Sequence, residues 1–186
     1  MTTTTASTLS ELTGTYTIDP AHSRIGFVAR HAMVTKVRGA FNDLEGTAVL
    51  DGDDPSRSTA SVTVQAASID TRSEQRDGHV RGADFFDVEN YPTITFVSTS
   101  ARQNGDVYEL TGDLTVKGIT KSVTVPFSYE GAATDPYGNQ RVGFEGSVTV
   151  NRKDFGLDFN APLATGGVLV GEKVVLEFEI SAIKSA

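Results

Sequence analysis

The chain contains no cysteine and no tryptophan, and it has only three histidines. The absence of cysteine excludes a disulfide scaffold, a thiol nucleophile, and any zinc or iron–sulfur site held by cysteine. His22, His31 and His79 lack the close spacing of common metal-binding pairs, so we predict no metal site and no cofactor. No apolar run approaches the roughly 18 residues of a membrane-spanning helix, so we expect no membrane span.

Common catalytic motifs are absent as well. The sequence has no G-x-S-x-G nucleophile elbow and no glycine-rich phosphate loop. With 24 acidic residues in the chain, a carboxylate near a histidine would carry little information. We therefore expect a protein that is not an enzyme, and we keep a catalytic pair of His31 and His79 as the alternative.

Basic residues are in the minority, with 16 Lys and Arg against 24 Asp and Glu and a net charge of −8. Because nucleic-acid binders are normally basic, we expect no nucleic-acid partner. The segment from Pro20 to Asn42 departs from this balance, since it contains no acidic residue. It carries four basic residues, Arg24, Arg30, Lys36 and Arg38. These side chains either form an anion site or are spread over a solvent-exposed face by strand alternation.

The length of 186 residues favours one domain. The opening MTTTTASTLSELTGT is rich in Thr and Ser and has neither a basic nor an apolar segment, so we identify no secretory signal in it. We expect residues 1–13 to be a flexible tail, with a short helix over Ser7–Leu12 as the alternative, and residues 14–186 to form the domain. A cytoplasmic location is expected, with a periplasmic or secreted one as the alternative.

Alternation of apolar and polar residues dominates the rest of the chain. Ile25 and Phe27 alternate with Arg24 and Gly26, and similar segments recur to give about eight strands. Each predicted strand has one apolar and one polar face, which is typical of an antiparallel sheet with one solvated side.

One segment departs from the strand pattern. Thr71-Arg72-Ser73-Glu74 has the form of a capping box, which predicts a short helix through about Arg81. A single short helix cannot cover eight strands, so the apolar face of the sheet must fold onto itself as a barrel or a sandwich.

Two turns make the prediction more specific. Asn104-Gly105 predicts a hairpin, and keeping both apolar sets on one face requires an odd loop. We therefore predict a three-residue loop over residues 103–105, with Gly105 at positive φ and Phe96 opposite Gly112. Lys117-Gly118 predicts the next hairpin, with an even loop.

Longer segments resemble the bacterial YceI-like, polyisoprenoid-binding family. They are YTIDPAHSRIGFVARH (Tyr16 to His31), VRGAFNDLEG (Val37 to Gly46), RDGHVRGADFFDVENYPTITF (Arg76 to Phe96), GDLTVKGITKSVTVPF (Gly112 to Phe127) and NRKDFGL (Asn151 to Leu157). The resemblance extends from about Gly14 to the C-terminus. Val80 and Gly82 stand where the family commonly has Leu and Ser.

The resemblance implies an all-β fold, an eight-stranded antiparallel lipocalin-like β-barrel with one short helix near its mouth. It also implies a non-enzymatic protein that binds a long isoprenoid lipid, such as a polyprenyl phosphate or a quinone tail, or a related amphiphile such as a fatty chain. Members of this family often form homodimers, so a homodimer is expected.

A closed eight-stranded barrel is either filled by side chains or wide enough for one small ligand. Its apolar interior would suit a hydrophobic ligand. The predicted wall residues are Ile25, Phe27, Phe41, Val62, Val64, Phe96, Leu114, Phe127, Phe144, Val148 and Phe178. The predicted mouth residues are His31, Arg38, Arg76, His79, Phe85, Phe86, Asn151, Arg152 and Phe155, of which Asn151, Arg152 and Phe155 are chosen mainly from the resemblance. A filled barrel that serves as a protein–protein interaction module is the principal alternative.

Overall fold

The computed structural model describes residues 9–185, which are mostly β-strand. The strands are β1 (Gly14–Ile18), β2 (Arg24–His31), β3 (Thr35–Phe41), β4 (Leu44–Leu50), β5 (Thr59–Gln65), β6 (Ile69–Asp70), β7 (Thr93–Asn104), β8 (Val107–Val116), β9 (Ile119–Thr134), β10 (Gln140–Asn151) and β11 (Val170–Lys184). The helix α1 spans Glu74–Arg81. Short 3₁₀ helices cover Leu9–Leu12, Pro20–His22, Pro55–Arg57, Ala66–Ser68 and Arg152–Phe155.

The strands close into an antiparallel barrel. Eight of them follow one another in the order β1-β4-β5-β7-β8-β9-β10-β11, and β11 pairs back with β1. β1 pairs with the C-terminal part of β11, and β2 pairs with the part of β11 that precedes it in the sequence. The next strand, β3, pairs with β2. The predicted eight-stranded antiparallel barrel is therefore confirmed, and the sandwich alternative is wrong.

Strand alternation decides which side chains face inward. Along β10, Val142, Phe144, Val148 and Val150 all line the interior. Gly146 occupies the same phase between them, and a Cβ built on it would lie 2.8 Å from the Phe127 ring. An aromatic ring from β9 thus covers the glycine and fills the gap in the row of inward side chains.

The β7–β8 hairpin corrects the predicted register. Asn104 pairs with Val107, so the loop has two residues, and Gly105 has a φ of +63° as predicted. A bulge between Ser98 and Ser100 then shifts the ladder by one residue, which places Phe96 opposite Leu114. The bulge brings the apolar residues of β7 and β8 onto the same face of the sheet, which is the effect that we had expected from a loop with an odd number of residues. The even loop at Lys117-Gly118 is confirmed, since Val116 pairs with Ile119.

The helix α1 lies where the sequence predicted it, but its cap differs. Ser73, not Thr71, is the N-cap, and its hydroxyl accepts a hydrogen bond from the Arg76 amide. The Thr71 hydroxyl instead donates to the Asp77 carboxylate at 2.5 Å. The proposed capping box was wrong because the buried Asp77 competes for Thr71 more effectively than the helix terminus does.

The two ends of the barrel differ. We call the end that carries α1 the helix end, and the end that carries Leu9–Leu12 the N-terminal end. At the N-terminal end, Leu12 packs with Tyr16 and Val142, and the Tyr16 hydroxyl donates to the Leu12 carbonyl at 2.8 Å. Most of the predicted tail, residues 1–8, lies outside the described residues. Leu9–Leu12 is a 3₁₀ helix rather than a loose segment, because Leu12 is buried.

A charged cluster ties the strands together at the N-terminal end. Arg141 donates to Asp19 at 2.7 Å and to Asp135 at 2.8 Å. The hydrogen bonds from Arg141 and His22 lower the pKa of Asp19. Burial alone would raise the pKa of Asp135, but hydrogen bonds from Arg141 and Asn139 outweigh it and hold this pKa well below its usual range. The cluster links β10 to the segment that follows β1.

Candidate functional site

The barrel is hollow. It holds a cavity of about 820 Å³, within the range of roughly 300–1,000 Å³ that small-molecule sites occupy. Lining residues run from Val142 to Val150 along β10, which corresponds to about 26 Å along the strand and about 20 Å along a barrel axis inclined to it. The cavity therefore extends through most of the barrel and suits an elongated molecule.

All eleven predicted wall residues line this cavity. Two aromatic groups shape its interior. Phe127 lies 5.9 Å from Phe178 and 6.5 Å from Phe144, measured between ring centroids. Phe41 lies 5.9 Å from Phe27 and 5.8 Å from Phe86. That these residues contact a ligand remains a prediction, but the geometry puts them where such contact would occur.

Alternation would have found many of the wall residues that we missed. These residues continue the inward phase of the predicted strands and include Val116, Val123, Val125, Val142, Val150, Leu176 and Ile180. Phe159 and Leu169 also line the cavity, but they belong to the connection between β10 and β11. A loop has no periodicity, so the sequence offered no signal for these two residues.

The helix end is filled by aromatic side chains. Phe85 is buried and packs with Val116, Phe155 and Leu157, whereas Phe86 packs into the core beside Phe41. Both phenylalanines also line the cavity. The Phe-Phe pair after the helix is thus a plug for this end of the barrel and part of the cavity wall at once.

The barrel is closed through β1 at the N-terminal end, but beside this plug, where β2 and β3 take the place of β1, the strand pairing is interrupted. β3 pairs with β6 only through Ala40 and Phe41. Within residues 9–185, Thr35–Gly39 pair with β2 alone, so this part of β3 has one unpaired edge. The segment that leads into α1 lies next to it, because a Cβ built on Gly39 would lie 2.9 Å from the Thr71 methyl group. The helix therefore covers a gap in the barrel wall.

The helix presents polar side chains to a cavity whose wall is mostly apolar. Gln75, Arg76 and His79 of α1 line it, as does the exposed His31 at the end of β2. Arg76 is half-buried and donates through Nε to the Thr71 hydroxyl at 2.8 Å and through Nη2 to the Thr71 carbonyl at 2.6 Å. In the described part of the chain, its Nη1 has no hydrogen-bond acceptor and no carboxylate within 4.0 Å. A positioned cationic donor is thus available to a ligand.

His79 has protein partners on several sides. Its Nε2 lies 2.9 Å from an oxygen of Asp84, and its ring meets Phe85 and Phe159 edge to face at 5.3 and 4.9 Å. These contacts hold the ring at the helix end of the cavity. The structure thus places His31 and His79 along the same cavity, which is all it offers to the catalytic alternative.

Arg152 has a different role from the one we predicted for a mouth residue. It is buried, and its guanidinium donates to the carbonyls of Leu157, Val170 and Gly171. Burial lowers its pKa. These three bonds hold the long connection between β10 and β11 against the barrel, and Arg152 lines the cavity from behind them.

Two predicted mouth residues lie away from the cavity. Arg38 is exposed and stands opposite Val28 on the outward face, because Val37 and Gly39 take the inward positions of β3. Asn151 caps the 3₁₀ helix that follows it by accepting a hydrogen bond from the Lys153 amide. His31, Arg76, His79, Phe85, Phe86, Arg152 and Phe155 do line the cavity.

No helix among the described residues is both long enough and apolar enough to cross a membrane. In the same residues, no group of three or more His, Asp or Glu side chains is arranged to hold a metal ion.

Comparisons with known proteins agree with this architecture. A family model described as the YceI-like domain matches residues 16–182. A UPF0312 protein of Pseudomonas aeruginosa is 42% identical over 136 residues, which cover 73% of this chain and 71% of that protein. A UPF0312 protein of Staphylococcus aureus is 38% identical over 168 residues, which cover 90% of this chain and 95% of that protein.

Solved structures share the fold. Burkholderia cenocepacia BcnA superimposes with a TM-score of 0.78 at 27% identity, covering 88% of this chain and 98% of BcnA. A polyisoprenoid binding domain from Saccharophagus degradans gives a TM-score of 0.69 and covers 91% of this chain and 98% of that domain. At 14% identity, this second likeness shows the fold alone.

Proposed function

The chain belongs to the YceI-like family, and from this premise we propose that it binds a long isoprenoid lipid, or a similar amphiphile, inside its barrel without converting it. The observation that carries the proposal is the continuous apolar cavity of about 820 Å³. A filled barrel serving only as an interaction module would have no such cavity. The name of the Saccharophagus degradans domain, a structural relative that binds polyisoprenoids, supports the same ligand class.

The cavity volume limits the size of the ligand. At about 30 Å³ for a water-sized group, 820 Å³ holds roughly 27 methylene-sized groups. At about −0.3 kcal/mol per heavy atom, a chain that fills it gains about 8 kcal/mol, which corresponds to roughly micromolar affinity. A chain of much more than about 30 heavy atoms would have to extend out of the barrel.

The polar groups on α1 favour an anionic head group. Arg76 reaches the cavity with an unpaired Nη1, and Gln75 and His79 lie on the same helix. At the other end of the cavity, Arg102 and Glu109 form an ion pair at 3.8 Å, so their charges largely cancel. We infer that the ligand head lies at the helix end, with Arg76 as its principal donor, and that a polyprenyl phosphate fits better than an uncharged quinone.

The decisive experiment is organic extraction of the purified protein followed by mass spectrometry. A stoichiometric isoprenoid or other amphiphile supports the proposal and identifies the ligand. A clean extract, together with no binding of a fluorescent isoprenoid phosphate to the delipidated protein, overturns it. Turnover of the bound lipid that disappears in His79→Ala would establish the enzymatic alternative instead.

Dimer formation and a cytoplasmic location remain predictions. The homodimer rests on the family resemblance alone, and analytical ultracentrifugation of the full chain tests it. Fractionation of the native host tests the location.

A further inference from the structure

The loop between β2 and β3 exposes large apolar side chains. Met33 is 59% exposed and Val34 is 76% exposed. The adjacent connection between β10 and β11 adds Val168, which is 38% exposed. The two segments are joined, since the Ala32 amide donates to the Leu169 carbonyl at 2.7 Å. We call Met33, Val34 and Val168 the apolar tip.

The backbone of the loop is unfavourable for the residues it carries. Ala32 and Met33 have φ values of +50° and +64°, in the left-handed region that glycine and asparagine occupy most readily. A glycine at either position would make the same turn with less strain. Part of the Met33 side chain packs on the β10–β11 connection, since a Cβ built on Gly167 would collide with the Met33 sulfur, and the rest of it is open to solvent.

Basic residues flank the apolar tip. Arg30 and Lys36 stand directly opposite each other on β2 and β3, and Arg38 follows on the same face. Like charges in directly opposed positions destabilise a strand pair. Within residues 9–185, none of the three has a carboxylate within 4.0 Å or a side-chain hydrogen bond. This positive patch belongs to a chain whose net charge is −8.

The charges determine which partner fits. A second copy of this chain docking tip to tip would oppose two positive patches, which is repulsive. An anionic bilayer offers both complements, because its head groups attract the basic residues and its acyl region accepts the apolar side chains. The same combination of exposed apolar and basic side chains is typical of elements that lie in a membrane interface.

We propose that the apolar tip and the Arg30–Lys36 pair dock the helix end of the barrel onto an anionic lipid bilayer. The tip adjoins the cavity, since His31, Val37 and Leu169 from the same two segments line it. Docking in this orientation turns α1, and the edge of β3 that it covers, toward the membrane. This inference rests on the proposed function and adds the source of the ligand.

Vesicle flotation of the full chain tests the proposal. The probes are phosphatidylcholine vesicles with and without phosphatidylglycerol, and we expect binding only to the anionic ones. Each basic residue near an anionic surface contributes about five-fold in partitioning. Lys36→Gln/Arg38→Gln, which removes the two basic residues of the patch that do not line the cavity, should therefore lower it roughly 25-fold. Met33→Ser/Val34→Ser should lower it by at least about ten-fold through lost apolar burial.

Matched controls lie at the N-terminal end. Arg57 has a side chain that is 74% exposed, and Tyr137 is 89% exposed. Arg57→Gln and Tyr137→Ser remove a similar charge and a similar apolar group, and they should leave flotation unchanged. Binding of a fluorescent isoprenoid phosphate in solution, without vesicles, should be retained in all four variants and shows that each is folded.

Several outcomes would overturn the docking proposal. They are equal flotation with neutral and anionic vesicles, unchanged flotation in both tip variants, and equal losses in the controls. Dissociation of a dimer by Met33→Ser/Val34→Ser would make the tip a self-interface and overturn it as well. A wild type that binds the probe but ignores vesicles refutes docking alone, whereas a wild type that binds no probe refutes the proposed function.

Discussion

Phe127 on β9 gives the sharpest test of the cavity as a lipid site. Its ring lies at the cavity wall, half-buried, and contacts Phe144 and Phe178. Each aromatic pair contributes about 0.5–1.5 kcal/mol beyond its buried area, so Phe127→Glu should lose about 1–3 kcal/mol of stability from these contacts. Domains of this kind have about 5–15 kcal/mol to lose, so the variant should remain folded.

The effect on ligand binding should be larger. In the ligand-free protein the introduced carboxylate can be hydrated, because the phenylalanine ring that it replaces is not fully buried. An apolar chain would remove that water, and desolvation of an ion costs several kcal/mol. A penalty of about 4 kcal/mol lowers affinity roughly a thousand-fold, which removes about half of the roughly 8 kcal/mol available from filling the cavity.

The assay is titration of a fluorescent isoprenoid phosphate, with thermal unfolding followed by circular dichroism on the same samples. Val97→Glu is the matched control, since Val97 is 53% exposed on β7 and faces outward. Phe127→Gln should fall between wild type and Phe127→Glu, and acidification that protonates the new carboxyl should restore part of the binding. A folded Phe127→Glu protein with wild-type affinity would refute the cavity as the site.

Three further predictions concern stability. Arg152→Met should lower the free energy of unfolding by about 3 kcal/mol or more, because it leaves three backbone carbonyls without their donor. The control Lys153→Met removes only an exposed ion pair with Glu172 and should cost at most about 1 kcal/mol. Thermal unfolding measures both. Arg141→Gln should be less stable than wild type at neutral pH. The pKa of Asp19 is lower in the folded state because Arg141 stabilises the carboxylate, so the loss of unfolding free energy in the variant should be complete above about pH 5 and should shrink below about pH 4. Urea titrations at several pH values measure this loss. A loss that does not depend on pH would contradict a stabilising Arg141–Asp19 ion pair. Ala32→Gly should raise the free energy of unfolding by about 0.5–1 kcal/mol while leaving vesicle binding unchanged, and a loss of stability would contradict the strain argument.

The barrel could be predicted from the sequence because its two strongest determinants are local. Alternation assigned inward residues correctly on β2, β5, β9 and β10, and each chosen wall residue lines the cavity. The register of β7 with β8 was wrong because a bulge at Thr99 leaves no mark in the apolar pattern. The cap of α1 was wrong for a related reason, since the partner that captures Thr71 is the buried Asp77 further along the chain.

The mouth was harder to predict because function and folding use the same residue types there. Arg76 and Arg152 look alike in the sequence, yet Arg152 satisfies three backbone carbonyls and Arg76 keeps a donor free at the cavity.

The β2–β3 loop is informative because it departs from the residue preferences that the other hairpins follow. The hairpin at Gly105 uses glycine in the left-handed region, and the next hairpin places Lys117 and Gly118 there, whereas the β2–β3 loop places two non-glycine residues, Ala32 and Met33, in this region. An unfavourable turn, an opposed Arg30–Lys36 pair and exposed apolar side chains coincide at the helix end, and the proposed docking on an anionic bilayer would stabilise the opposed charges and bury the apolar side chains.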